Sequence, residues 1–181
     1  SSAVPAQEYY ELHGTSPEIH SVVNTVDTSA KSTSELASVA QPNVITDTTR
    51  LKKNMTIKSD ETLYVKKGAA LYINEGVKLT LKGKLVVEKG ASVYVKGSIV
   101  SRKGSSAVVG GKVKIMSTGT YELSGTLTVK QGALIKGNGS IAVKNDFSDI
   151  RCIGDVKAKI IPPKPVVKNG VTYVGGILIV N

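Results

Sequence analysis

The chain has no Trp, one Phe, one Cys and two His among 181 residues. Seven Tyr bring the aromatic content to only 4%, so the interior cannot be built around several large rings, as packed enzyme cores commonly are. Val, Ile and Leu must fill it instead. The single Cys152 excludes an internal disulfide and a multi-cysteine metal site. No run approaches the ~20 apolar residues that span a bilayer, and no signal-peptide pattern opens the chain.

Acidic residues are also short: 24 Lys and Arg face 14 Asp and Glu, for a net charge of +10. The imbalance is local. Residues 1–50 carry two basic and six acidic side chains, whereas residues 51–161 carry twenty and eight. A basic body attracts polyanions such as nucleic acid, anionic lipid or anionic cell-wall polymer. Lys dominates, with only Arg102 and Arg151 in the body. That favours diffuse attraction over the bidentate forks of specific phosphate or base recognition. The plain alternative is a solvated Lys surface that keeps sheet edges soluble.

The chain divides into three parts. Residues 1–50 are rich in Ser and Thr and read as a flexible arm, with a possible short helix from Ser16-Pro17-Glu18 through Val26. Residues 51–161 are repetitive. From Gly76, glycine returns every seven residues at 76, 83, 90, 97, 104, 111, 125, 132 and 139, with Thr118 the one exception and Gly119 beside it. Short alternating β-formers lie between, such as Leu79-Thr-Leu81 and Val93-Tyr-Val95. Such alternation marks half-buried strands, and glycine supplies the turns. Glycine at every repeat rules out a coiled coil.

Stepping by fourteen residues gathers four apolar columns: Leu79, Val93, Ala107, Tyr121, Ile135; Leu81, Val95, Val109, Leu123, Gly137; Leu85, Ile99, Val113, Leu127, Ile141; and Val87, Ser101, Ile115, Val129, Val143. Only Ser101 and Gly137 break them. A step of twenty-one fits worse, because it places Arg102 after Leu81 and Lys136 after Ile115. A longer echo relates Gly83–Lys103 to Gly125–Asn145, forty-two residues on. The expected fold is therefore all-β: a β-solenoid, or β-helix, with about 14-residue, two-strand repeats that bury their apolar side chains by stacking. An antiparallel β-meander is the alternative. Residues 162–181 read as a Pro-rich spacer, Pro162-Pro163-Lys164-Pro165, and a terminal hairpin turning at Gly175-Gly176. Ending at Asn181 within an apolar run suggests a piece of a larger protein.

Catalytic chemistry is sparsely represented. His13 and His20 lie in the arm without companion ligands, so neither a metal nor a cofactor is expected. Cys152 has no histidine near it in sequence and reads as a buried small hydrophobe. The acids Asp60, Glu61, Glu75, Glu88 and Glu122 form no recurring pair of the kind glycoside hydrolysis requires. Turn residues are Lys, Ser and Asn rather than repeated Asp, which disfavours calcium. No catalytic residue is assigned, and the chain is read as a non-enzyme.

The lysines remain. In steps of fourteen, Lys82 and Lys96 share a column, Lys84 and Lys112 another, and Arg102, Lys130 and Lys144 a third. Outward columns of a solenoid make cationic stripes suited to an extended anionic chain. Nucleic acid is disfavoured, since candidate exposed aromatics are limited to Tyr72 and Tyr94.

The tail Val167-Lys-Asn-Gly-Val-Thr-Tyr-Val-Gly-Gly-Ile-Leu-Ile-Val-Asn181 resembles the lead-in to the zinc peptidase domain of secreted D-alanyl-D-alanine carboxypeptidases of Gram-positive bacteria. The glycine-spaced repeats resemble the non-catalytic extracellular regions ahead of such domains. That family's zinc ligands and acidic base lie beyond the lead-in, so no catalytic residue carries over. The resemblance implies an extracellular, cell-wall location, a missing downstream domain and a role as spacer or adhesive module. A self-assembling structural solenoid is the second expectation, with homo-oligomers as partners, and a polysaccharide-acting enzyme a remote third.

Overall fold

The computed structural model describes residues 9–13, 43–144, 149–164, 166–173 and 178–180. Among them every regular element is a strand. β1 (Tyr9–His13) stands apart in sequence. Then follow β2 (Val44–Ile45), β3 (Thr48–Leu51), β4 (Met55–Ile57), β5 (Thr62–Val65), β6 (Ala70–Ile73), β7 (Lys78–Leu81) and β8 (Lys84–Val87). The series continues with β9 (Ser92–Val95), β10 (Ser98–Ser101), β11 (Ser106–Val109), β12 (Lys112–Ile115), β13 (Thr120–Leu123) and β14 (Thr126–Val129). Last come β15 (Leu134–Val143), β16 (Asp149–Cys152), β17 (Asp155–Ile161), β18 (Val166–Lys168), β19 (Val171–Tyr173) and β20 (Leu178–Val180).

The chain is a parallel β-solenoid, which overturns the antiparallel meander. Every third strand stacks, so each coil has three sides. The first face runs β2-β5-β8-β11-β14-β16-β20. The second runs β3-β6-β9-β12 and ends on the first halves of β15 and β17; the third runs β4-β7-β10-β13 and ends on their second halves. Because β15 and β17 cross the corner unbroken, the second and third faces form one 11-stranded sheet.

The two-strand, fourteen-residue coil is thereby corrected. Ser98 pairs with Lys78, twenty residues back, and with Thr120, twenty-two residues on. The reason lies in the corners. From residue 74 to residue 139, four-residue corners such as 74–77 and 88–91 alternate with two-residue corners such as 82–83 and 96–97. One wide and one tight corner with two four-residue strands make fourteen residues of chain. Three corners close a coil, however, and three is odd. Coils therefore hold twenty or twenty-two residues in turn, and two of them account for the forty-two-residue echo. Each tight corner also falls on a wide corner of the coil before it.

Glycine serves the two corners differently. Gly76, third in a wide corner, has φ of 78°, where a Cβ would be strained. Gly97, in a tight corner, has no room for one: a Cβ would strike the carbonyl oxygens of Asn74 and Val77.

The core consists of true stacks one coil apart, such as Leu79, Ile99, Tyr121, Ile141 and Leu71, Val93, Val113, Ile135. These side chains are essentially inaccessible. The fourteen-residue columns named inward positions correctly, but their members sit on different faces. Their exceptions are accommodated locally. The buried Ser101 hydroxyl meets that of Ser105 at 2.6 Å, and Gly137 lies where a Cβ would strike the Ile115 carbonyl. On the outer side of the first face, Tyr64, Val86 and Val108 form a separate buried cluster.

The boundaries also move. β2 and β3 already belong to the stacked faces, so the solenoid begins before residue 51. β1 adds antiparallel to β17 and occupies the edge of the last coil. The proposed helix around Ser16–Val26 lies outside the described residues. At the other end, a hairpin joins β18 and β19, turned by Asn169 and Gly170, both at positive φ; the turn expected at Gly175-Gly176 lies outside the described residues. β20 pairs in parallel with β16, so the segment after the prolines rejoins the first face.

Candidate polyanion-binding surface

Alternation along each strand turns one side chain inward and the next outward. On β12, Val113 and Ile115 are buried while Lys112 is exposed and Lys114 half-buried. Parallel stacking repeats outward positions coil by coil. On the second face, register aligns Arg50, Tyr72, Tyr94, Lys114, Lys136 and Lys157 in one continuous ladder. Lys112 flanks it on β12.

The aromatic rungs of this ladder are engaged with their neighbours. The Tyr72 and Tyr94 rings stack at 4.6 Å with 14° between planes. The Arg50 guanidinium covers Tyr72 at 4.3 Å from the ring centre. Both faces of Tyr72 are thus occupied, which removes it as a platform for a base or a sugar. The cationic rungs are different. Lys114, Lys136 and Lys157 occupy consecutive strands about 4.8 Å apart, where like charges in cross-strand register oppose folding; beyond them, register sets Glu11 of β1 opposite Lys157. None of these three, nor Lys112, forms an ion pair among the described residues.

The residues expected from sequence are distributed differently from their fourteen-residue columns. Lys82 and Lys96 lie at different corners, and Lys84 and Lys112 open strands on different faces. Arg102 and Lys144 do share a corner, between the third and first faces, but Lys130 belongs to the corner between the first and second. The backbone bonds Lys82 N to Ile57 O, Arg102 N to Leu81 O, Ser124 N to Ser101 O and Lys144 N to Leu123 O define the real stack. It reads Lys58, Lys82, Arg102, Ser124, Lys144. Its members other than Ser124 are exposed. Lys144 approaches Glu122 at 3.5 Å, a surface pair of little energetic weight.

Sequence reasoning missed Lys58, Lys114, Lys136 and Lys157. The signal was present in spacings of twenty-one, twenty-two and twenty-four, but the fourteen-residue frame concealed it.

Several acids have structural partners. Glu88 accepts from the Lys67 amide at 3.0 Å and pairs with Lys66 at 3.2 Å. Glu61 accepts from the Lys58 amide at 2.7 Å and from Asn43 Nδ2 at 3.3 Å. These bonds, the amide first, hold its carboxyl below the usual Glu range. Cys152 is buried and donates its thiol to the Gly154 carbonyl at 3.0 Å. His13 lies on β1, and His20 lies outside the described residues. No helix among the described residues is long and apolar enough to cross a membrane.

No family model, curated protein or solved structure matches this chain.

Proposed function

We propose that the chain is a non-catalytic extracellular spacer and adhesive module that holds an extended anionic polymer at the bacterial cell wall. The observation that supports this most is the Lys114–Lys136–Lys157 ladder on the second face. A row of like charges costs folding energy, and an anionic chain along the solenoid axis relieves that repulsion in the bound state. Lys, with its compact hydrated charge, suits repeated phosphodiesters met without fixed geometry. The tail's resemblance to the lead-in of secreted wall carboxypeptidases supports the location and the polymer class, an anionic wall polymer of the teichoic acid type. End-to-end self-assembly is the second reading, and β1 lying antiparallel on the β17 edge counts against it at that end.

The test is co-sedimentation with Gram-positive walls, with and without teichoic acid, at low and high salt. Binding should require the teichoic acid, fade as salt screens the charges, and fall when Lys114, Lys136 and Lys157 become Ser. Salt-insensitive binding, or none, overturns the proposal.

A further inference from the structure

Two cationic rows point in opposite directions. The first is Lys112, Lys114, Lys136 and Lys157 on the second face. The second is Lys58, Lys82, Arg102 and Lys144 on the corner between the third and first faces. In a three-sided coil that corner is the one the second face does not touch. Each row runs parallel to the axis over several coils of about 4.8 Å each, and the whole core separates them.

The third face lies between the rows on one side and the first face on the other. The third face mixes hydroxyl side chains, among them Thr80, Ser98, Thr120 and Ser140, with the charged Lys78, Glu122 and Lys159. On the first face the outward positions Val86, Val108 and Thr128 are uncharged but buried, and register continues them onto Arg151. At physiological ionic strength screening acts over about 8 Å, so the rows behave as two separate fields. One linear polymer lying along one row cannot also lie along the other. Adhesion to a single chain needs only one row.

We propose that the solenoid is bivalent and bridges two anionic polymer chains, one on each row. This rests on the reading of the protein as a polyanion binder and adds that it cross-links what it binds. Two weak electrostatic sites on one rigid body then give network formation through multivalency.

The experiment uses inorganic polyphosphate. A short labelled polymer measures binding stoichiometry, and a long polymer measures clustering by light scattering. Four proteins are compared: the unaltered chain; a corner variant (Lys82→Ser, Arg102→Ser, Lys144→Ser); a face variant (Lys112→Ser, Lys114→Ser, Lys136→Ser); and a control losing the same charge elsewhere (Lys52→Ser, Lys53→Ser, Lys164→Ser). Circular dichroism establishes that each is folded. The unaltered chain and the control should bind two short polymers and cluster the long one, with clusters dissolving in excess polymer. The corner and face variants should each keep one site and lose clustering. Binding at one site without clustering overturns bridging but leaves polyanion binding intact. Loss of clustering in the control as well shows that net charge, not the two rows, is responsible, and overturns it too. No binding by the unaltered chain overturns the underlying reading.

Discussion

Gly97 lies against the Asn74 carbonyl of the preceding coil so closely that a Cβ on it would strike the oxygen. The tight corner at 96–97 nests on the wide corner at 74–77, and the Gly97 amide bonds to Ile73 O at 3.1 Å.

Adding a methyl group to each corner should therefore have unequal effects. Gly97→Ala forces two backbones apart and should cost about 2–4 kcal/mol, within the range of severe core defects. Gly76→Ala meets no atom within 4 Å and should cost about 1 kcal/mol for its left-handed backbone. Urea unfolding midpoints measure the difference, and equal costs would contradict the nesting of corners.

Val95 and Lys96 are chain neighbours on opposite sides of the wall, the first fully buried and the second exposed. Val95→Asp buries a carboxylate with no cation beside it and should prevent folding. Lys96→Asp should change the urea midpoint little. Circular dichroism distinguishes the two.

Tyr121 is buried on β13, and its hydroxyl, beside Ser101, makes no well-aligned hydrogen bond among the described residues. Burial pushes the phenol well above its usual range, and the Ser101 hydroxyl opposes the rise. Tyr121→Phe removes an unsatisfied polar atom while keeping the ring. Stability should be unchanged or rise by up to about 1 kcal/mol, as thermal unfolding would report; a clear loss would mean that the hydroxyl is satisfied.

Glu61 has its carboxyl pKa held down in the folded state, chiefly by the Lys58 amide. A depressed pKa stabilises the fold above the ordinary Glu value of about 4.3 and ceases to do so as pH falls through the folded value. Glu61→Gln should lower stability at pH 7 and make it less dependent on pH below about 4.3. Parallel acid-unfolding curves for the two proteins would refute this.

β1 occupies the outer edge of β17, and an uncovered strand edge invites pairing with another chain. Deleting residues 1–13 should make particle size rise with concentration in light scattering. A truncated chain that stays monomeric would show that β1 is not what blocks the edge.

Much of the fold was legible because its signals are local. Alternation in Leu79-Thr-Leu81 and Val93-Tyr-Val95 gives strands, and evenly spaced glycines give corners. The Asn169-Gly170 pair was a clear hairpin signal that Gly175-Gly176 obscured. No local pattern announces that β20 returns to pair with β16, since that contact spans the intervening hairpin.

The sequence by itself determined that this is a glycine-cornered β repeat, which side chains face inward, and that its body is basic, because strand alternation and turn chemistry act within a few residues. Only the tertiary structure decided that three strands, not two, close a coil. That number depends on whether a tight corner fits beneath a wide one twenty or more residues away, a steric match with no local trace. The grouping of charges depended on the same closure. Lys82 and Lys96 separated, whereas Lys114, Lys136 and Lys157 came into line, because the number of sides determines which residues become neighbours along the axis.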